Sequence, residues 1–295
     1  MNENTLKSLS DKFSQDCAKL KESPPPKILY HYCESSTFFN IWNNSELWNT
    51  HILDMRNDSA EFRHGMKMFM CGLELLIKKG LDKVLVKSLK REFIKEMKNP
   101  TYPPYIFCLT PKRDQVSQWI QYSEKGKGLS IGFDSNYFTG VRSVIYDDST
   151  KRRVVITVVS KFRRFIISLS KLNINLNDKA MVRSLCIDYF LAAYIQSLRF
   201  KKLKWRNENE WRAVVILKKT DPPALERKKK CKIIRYVPTQ LQPSKDVLEI
   251  ITGPNFSSNT NQQLNALNVS VNITNSGASI DSRSSIFEKI RNYFC

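Results

Sequence analysis

Residues 201–219, KKLKWRNENEWRAVVILKK, place Glu208 and Glu210 one residue apart where a basic segment turns into an apolar one. Period-two alternation assigns Glu208, Glu210 and Arg212 to one strand face and Trp211, Ala213, Val215 and Leu217 to the other. The even-numbered face turns apolar again at Val214 and Ile216, so the carboxylates belong at the rim of a core. A carboxylate there costs free energy unless it is paired or hydrogen-bonded. Arg212 is the nearest candidate partner, which gives a structural reading; carboxylates aimed at a substrate give a catalytic one.

Three other groups could carry chemistry. His31 lies in ILYHYCE (28–34), either as a buried, hydrogen-bonded imidazole or as a ring nitrogen offered to a ligand. Asp58, Glu61 and His64 follow one another at three-residue steps, making one polar helix face. That face suits a metal-dependent nuclease, or equally a salt-bridged helix start favoured by the helix dipole. In SQWIQYSEKGKGLSIGFD (117–134), Trp119 and Tyr122 are neighbours on a helix face, either a stacking wall for a planar ligand or ordinary core. The chain has no Gly-rich P-loop, no GxSxG and no HExxH.

The elements that must position these residues follow from periodicity. Leu6, Leu9, Phe13, Cys17 and Leu20 predict an amphipathic helix over 4–22, ended by SPPPK. ILYHYCE predicts a strand, and FFNIWNNSELW a helix capped near Ser35, Ser36 or Thr37. Helices are predicted from Asp58 or Ser59 to about 79 and over 82–98. Short strands follow at 104–111, 128–134 and 142–147, with a helix at 116–123. Two long helical patterns cover about 150–170 and 178–200. Strands return at 210–219, 232–237, 248–254 and 269–274, with short helices near 260–267 and from about 283. The fold class expected is α+β, with a mixed or antiparallel sheet drawn from distant segments and surrounded by helices. Residues 1–26 form an N-terminal helix and Pro linker; 27–295 form one α+β domain with a helical insert at about 150–200.

At 295 residues, 41% hydrophobic and 11% aromatic, the chain is long and apolar enough to bury a sizeable core. Lys and Arg outnumber Asp and Glu by 48 to 28, a net +20 that attracts nucleic acid or another polyanion. Basic clusters stand at 151–153, 161–164, at Lys201, Lys202, Lys204 and Arg206, and at Arg227, Lys228, Lys229 and Lys230. Trp205 and Phe162 are placed beside them for base stacking. Seven scattered cysteines with no CxxC read as free thiols in a reducing compartment. With no signal peptide and no apolar run long enough for a bilayer, a soluble, cytoplasmic protein without membrane contact is expected.

An ordered set of segments resembles a mostly bacterial family, domain of unknown function 2971. The set is LYHY (29–32), RNDSAEF (56–62), FCLT…W..Y…GKGLSIGFD (107–134), V.Y (144–146), K.W..ENEWR (204–212 with Lys204, Trp205, Glu210 and Arg212) and IITGP (250–254). It covers residues 28 to about 280. Ser59 stands where that family usually has proline, and the 150–200 segment matches poorly. A second, looser similarity is to ADP-ribosyltransferases of the His-Tyr-Glu type. It implies that NAD is consumed, that His31 holds a ribose hydroxyl, and that Tyr122 or Trp119 stacks on nicotinamide. Glu210, or else Glu208, would then stabilise the oxocarbenium ion, with Arg212 gripping the pyrophosphate and Tyr30 and Asn57 completing the cofactor contacts. The function expected is ADP-ribosyl transfer to nucleic acid or a nucleic-acid-associated protein, as a bacterial toxin or phage-defence effector. A non-catalytic nucleic-acid-binding module is the alternative, and the nuclease a third.

Overall fold

In this computed structural model, described over residues 3–18, 20, 23–55, 58–172, 174–176, 178–217, 220–229, 232–267 and 271–280, the N-terminal periodicity becomes α1 (Glu3–Ala18). The β-branched and aromatic run that follows forms β1 (Ile28–Cys33). Next come α2 (Ser35–Asn44), β2 (Glu46–His51), α3 (Asp58–Gly72), α4 (Glu74–Lys78), α5 (Lys83–Lys98) and β3 (Pro104–Leu109). The middle of the chain supplies α6 (Val116–Tyr122), β4 (Leu129–Asp134), β5 (Arg142–Ser143), α7 (Asp148–Ser170) and α8 (Lys179–Ser197). A 3-10 turn (Leu203–Glu208) leads into β6 (Trp211–Ile216), β7 (Leu225–Lys229), β8 (Lys232–Gln240), α9 (Pro243–Asp246), β9 (Val247–Thr252), α10 (Ser258–Ala266) and β10 (Asn272–Asn275).

The α+β class is as expected, and the strands, drawn from distant segments, form two sheets and not one. One is mixed, in the order β1-β4-β9-β10, with β10 parallel to β9; the other is antiparallel, in the order β5-β6-β3-β2-β8-β7. A helical layer of α1, α3, α5, α7 and α8 buries Phe69, Phe93, Val158, Phe162 and Leu185 against Ile106 and Val214 of the larger sheet. Between the sheets, Leu29, Ile131 and Phe133 meet Leu47, Phe107, Leu109 and Trp211. Strand alternation produces this division, because Trp211 and Ala213 face the smaller sheet while Val214 faces the helices.

Three local expectations change. The helix expected to run through Trp48 stops at Asn44, where Ser45 turns left-handed (φ 52°). ELWNTH then alternates with Leu47, Asn49 and His51 inward, a strand signal that the preceding helical run hides. Residues 225–229, read only as a basic cluster, form the edge strand β7, whose charged side chains suit a sheet edge. Finally, Glu208 and Glu210 precede β6 and do not lie within it: Glu208 closes the 3-10 turn, and Asn209 is left-handed (φ 46°). The helix expected from about 283 lies outside the described residues. No helix among the described residues is long and apolar enough to cross a membrane.

A backbone bridge between Tyr30 and Thr110 ties the two sheets. β2 pairs with β3 only through Thr50↔Ile106 and His51↔Tyr105. Beyond that β3 leaves its neighbour and reaches Thr110, whose amide and carbonyl bond the Tyr30 carbonyl and amide at 2.9 and 2.7 Å. The parting of β2 from β3 opens a wedge. Gly128, at the start of β4, allows the close approach that sets β1 beside it: a Cβ there would stand 2.1 Å from the Cys33 carbonyl oxygen.

Candidate functional site

A cavity of about 240 Å³ fills that wedge. Its β3 wall carries Thr110 and the carboxylates of Glu208 and Glu210; its β2 wall carries Trp48, Thr50 and, from β7, Arg227; His31 enters from β1 and Tyr122 from α6. The cavity therefore gathers His31, Tyr122, Glu208 and Glu210, which lie far apart in the sequence.

His31 is half-buried, with its ring 4.3 Å from that of Phe107. Its Nδ1 lies 2.9 Å from the Cys108 carbonyl oxygen. A carbonyl can only accept, so Nδ1 carries the proton and, in the neutral ring, Nε2 is the acceptor. Burial lowers the imidazole pKa, only partly opposed by that hydrogen bond, and keeps the ring neutral at pH 7.

The acidic wall is a five-residue ion cluster. Lys201 Nζ contacts Glu208 Oε2 at 2.5 Å, Glu210 Oε2 at 2.7 Å and Asp58 Oδ1 at 3.5 Å. Arg212 donates from Nε to Glu210 Oε1 at 2.7 Å, from Nη2 to Asp58 Oδ1 at 2.6 Å, and from Nη1 to the Leu198 carbonyl at 2.6 Å. Asp58 reaches this cluster from the first turn of α3. All five are buried. The backbone of Glu208 is pinned by Thr110 Oγ1, which donates to its carbonyl at 2.8 Å, and the Glu210 amide donates to Tyr146 Oη at 2.8 Å.

The two glutamates differ. Burial pushes Glu210 up, but Arg212 and Lys201 outweigh it and hold the carboxyl down at about 2. For Glu208 burial wins: Lys201 pulls the pKa down, Glu210 pushes back, and the net shift is upward. Tyr122 Oη donates to Glu208 Oε1 at 2.7 Å, and the residue, 44% exposed, lines the cavity. Burial, followed by the charge of Glu208, raises the Tyr122 pKa far above its ordinary value, so it stays a donor.

Several sequence expectations are corrected by placement. Trp119 is fully buried, donates Nε1 to Asp114 at 2.6 Å and packs edge-on against Tyr32, so no face remains for nicotinamide. Arg212 is 1% exposed with its guanidinium spent on Glu210, Asp58 and Leu198; it cannot grip a pyrophosphate. Tyr30 borders the cavity, but its hydroxyl is donated to Glu249 at 2.5 Å. Lys201 belongs to the carboxylate cluster and is closed to phosphates, and Phe162 is core. Lys202, Lys204 and Arg206 are exposed on the 3-10 turn and its approach, with Lys204 Nζ 4.9 Å above the Trp205 ring. Lys228 is exposed on β7, Lys229 ends that strand, and Asn57 and Lys230 lie outside the described residues. Glu61 accepts from the Lys202 amide at 3.2 Å while His64 is exposed. Among the described residues no group of three His, Cys, Asp or Glu side chains could hold a metal ion.

Sequence reasoning missed Asp58 as a partner of Arg212, and Trp48 and Thr50 as cavity wall. It placed Arg227 among surface phosphate contacts, whereas the structure puts it in the cavity.

With the cavity and its cluster in view, comparison by sequence becomes informative. Residues 118–213 match the family model described as Protein of unknown function (DUF2971). The DUF2971 match runs from Gln118 on α6 to Ala213 on β6. It takes in Tyr122, Lys201, Glu208, Glu210 and Arg212, while His31, Trp48, Asp58 and Arg227 lie outside it. No curated protein and no solved structure matches the chain, so the looser similarity to ADP-ribosyltransferases draws no support from these comparisons.

Proposed function

We propose that the cavity binds NAD as a substrate and transfers its ADP-ribosyl group, with Glu208 as the working carboxylate. The observation that carries this reading is the convergence of His31, Tyr122 and Glu208 on one cavity, beside a second carboxylate held ionised. Two carboxyls whose surroundings drive their pKa values apart are suited to different tasks. At about 240 Å³ the cavity falls just below the usual range for small-molecule sites, roughly 300–1,000 Å³, and suits the nicotinamide-ribose end of a dinucleotide.

In this scheme the Tyr122 ring stacks on nicotinamide, and His31 Nε2 accepts a hydrogen bond from a ribose hydroxyl. The bond between the ribose C1′ and the nicotinamide nitrogen breaks, and its electron pair leaves with neutral nicotinamide. Three carboxylates, Asp58, Glu208 and Glu210, face only two cations, Lys201 and Arg212, so the wall offers negative potential to the sugar as it turns cationic. An acceptor hydroxyl or amine then bonds to C1′, and its proton passes to Glu208. The target is a nucleic acid or a protein bound to one. Lys202, Lys204 and Arg206 support this, because they are exposed on the turn that ends in Glu208.

The test is nicotinamide release from NAD in the presence of DNA, RNA or cell extract, by native protein and by Glu208→Gln. That variant leaves Asp58 and Glu210 balanced against Lys201 and Arg212, so it folds. Its turnover is expected to fall by about 100-fold or more, the scale of a lost acid–base group. Native protein that neither binds nor turns over NAD, or a variant with unchanged turnover, overturns the proposal. The basic turn also favours a second reading, a nucleic-acid-binding module without chemistry, which such a result would leave standing.

A further inference from the structure

The wall opposite the carboxylates holds a cation without a counter-charge. Arg227 lies across two rings, its guanidinium carbon 5.1 Å from the Trp48 centroid and 5.7 Å from that of Tyr236. Its Nη2 makes one long contact, 3.4 Å, to Thr50 Oγ1, and its Nε is buried with no hydrogen-bond partner. No carboxylate pairs with it among the described residues. Lys201 and Arg212 sit amid carboxylates, and Arg235 is bonded to Asp54. Burial lowers the pKa of Arg227, only partly opposed by Tyr236. A half-buried guanidinium with an unpartnered Nε gains from an anion that adds charge and hydrogen bonds. With its carbon near both rings, the guanidinium is held at the cavity, and its planar fork can give two parallel hydrogen bonds to one phosphoryl group.

We propose that Arg227, laid on Trp48 and Tyr236, is the seat for a phosphoryl group of the cavity's ligand, as in the pyrophosphate of a dinucleotide. This rests on the cavity being a nucleotide site. It assigns the anion-binding role to Arg227 of β7 in place of Arg212, which does not line the cavity, and gives the ligand a direction: sugar toward Glu208, phosphate toward Trp48.

Calorimetric titration of the full chain with ADP-ribose, inorganic pyrophosphate and nicotinamide riboside tests it, using native protein, Arg227→Gln and Arg227→Lys. Arg227→Gln should weaken ADP-ribose at least ten-fold and leave nicotinamide riboside, which has no phosphate, unchanged. Arg227→Lys should recover part of the loss, keeping the charge without the fork. The ligand-free Arg227→Gln protein should melt no lower than native, since the uncompensated cation is gone. ADP-ribose binding that ignores the substitution overturns the seat, as does equal loss of nicotinamide riboside or failure of every phosphorylated probe to bind native protein. If native protein binds pyrophosphate in an Arg227-dependent way but neither NAD nor nicotinamide riboside, the phosphoryl seat stands and the NAD reading falls. NAD binding indifferent to Arg227 gives the reverse.

Discussion

Glu208 and Glu210 stand two positions apart and contact the same lysine, yet their surroundings ask different things of them. Glu210 accepts from Arg212 and Lys201 with both oxygens, so its charge is structural. Replacing it with glutamine breaks a buried pair and should cost about 3 kcal/mol of stability, read as a lower denaturant midpoint. Its depressed pKa also fixes a direction: the stabilisation it gives is complete above its ordinary value of 4.5 and lost as pH falls toward about 2. Acid unfolding followed by circular dichroism should therefore steepen within that window in native protein and flatten in Glu210→Gln. Glu208 behaves oppositely. Burial raises its pKa and so works against the ionised form that proton acceptance needs. The acid limb of the pH–rate profile should then lie above 4.5, and Tyr122→Phe, which removes a hydrogen bond to the ionised form, should move it higher still. The glutamate–arginine pair was legible in the residues themselves, since Arg212 was the nearest cation in sequence. The share taken by Lys201 and Asp58 was not. Nothing local distinguishes a lysine that will be buried among carboxylates from its exposed neighbour Lys202.

Elements with a strong period were read correctly because burial and period coincide. α1, α5 and α7 carry one apolar face, α8 is apolar and buried nearly all round its second half, and β1 and β4 are short branched or aromatic runs bounded by turns. β2 and β7 escaped for different reasons. β2 follows α2 with only Ser45 between them, so one apolar pattern passes into another without a polar gap. β7 is an edge strand of LERKK, held by backbone bonds to β8 that leave no mark on side-chain pattern. Those two strands build the Arg227 wall, which is why that half of the site was hidden in the sequence. The helical layer serves as scaffold, and the cap of α5 tests this: Asp82 accepts from the Leu85 amide at 2.8 Å. Asp82→Ala should cost about 1 kcal/mol and leave nicotinamide release per folded molecule unchanged.

At the level of the whole molecule, the net charge of +20 is spread over many surfaces, and part of it is consumed internally. Lys201, Arg212 and Arg199 are buried, and Lys151 is paired with Asp148. The turn beside the cavity is the basic surface with a stated task. Exchanging Lys202, Lys204 and Arg206 together for glutamine should flatten the plot of log affinity against log salt for single-stranded nucleic acid by about 2–3 units. An unchanged slope would place the phosphate contacts elsewhere, for instance on Arg152, Arg153 and Arg164 of α7.

The reciprocal bonds between Tyr30 and Thr110 link the two sheets through their backbones; His31 is anchored to Cys108, two residues from Thr110, and Glu208 to Thr110 itself. Arg227, by contrast, contacts Thr50, which is paired to Ile106 where β2 still holds β3. The two ends of the chamber are thus tethered at different seams, the imidazole and the carboxylate at the one between the sheets and the guanidinium at the one inside the larger sheet.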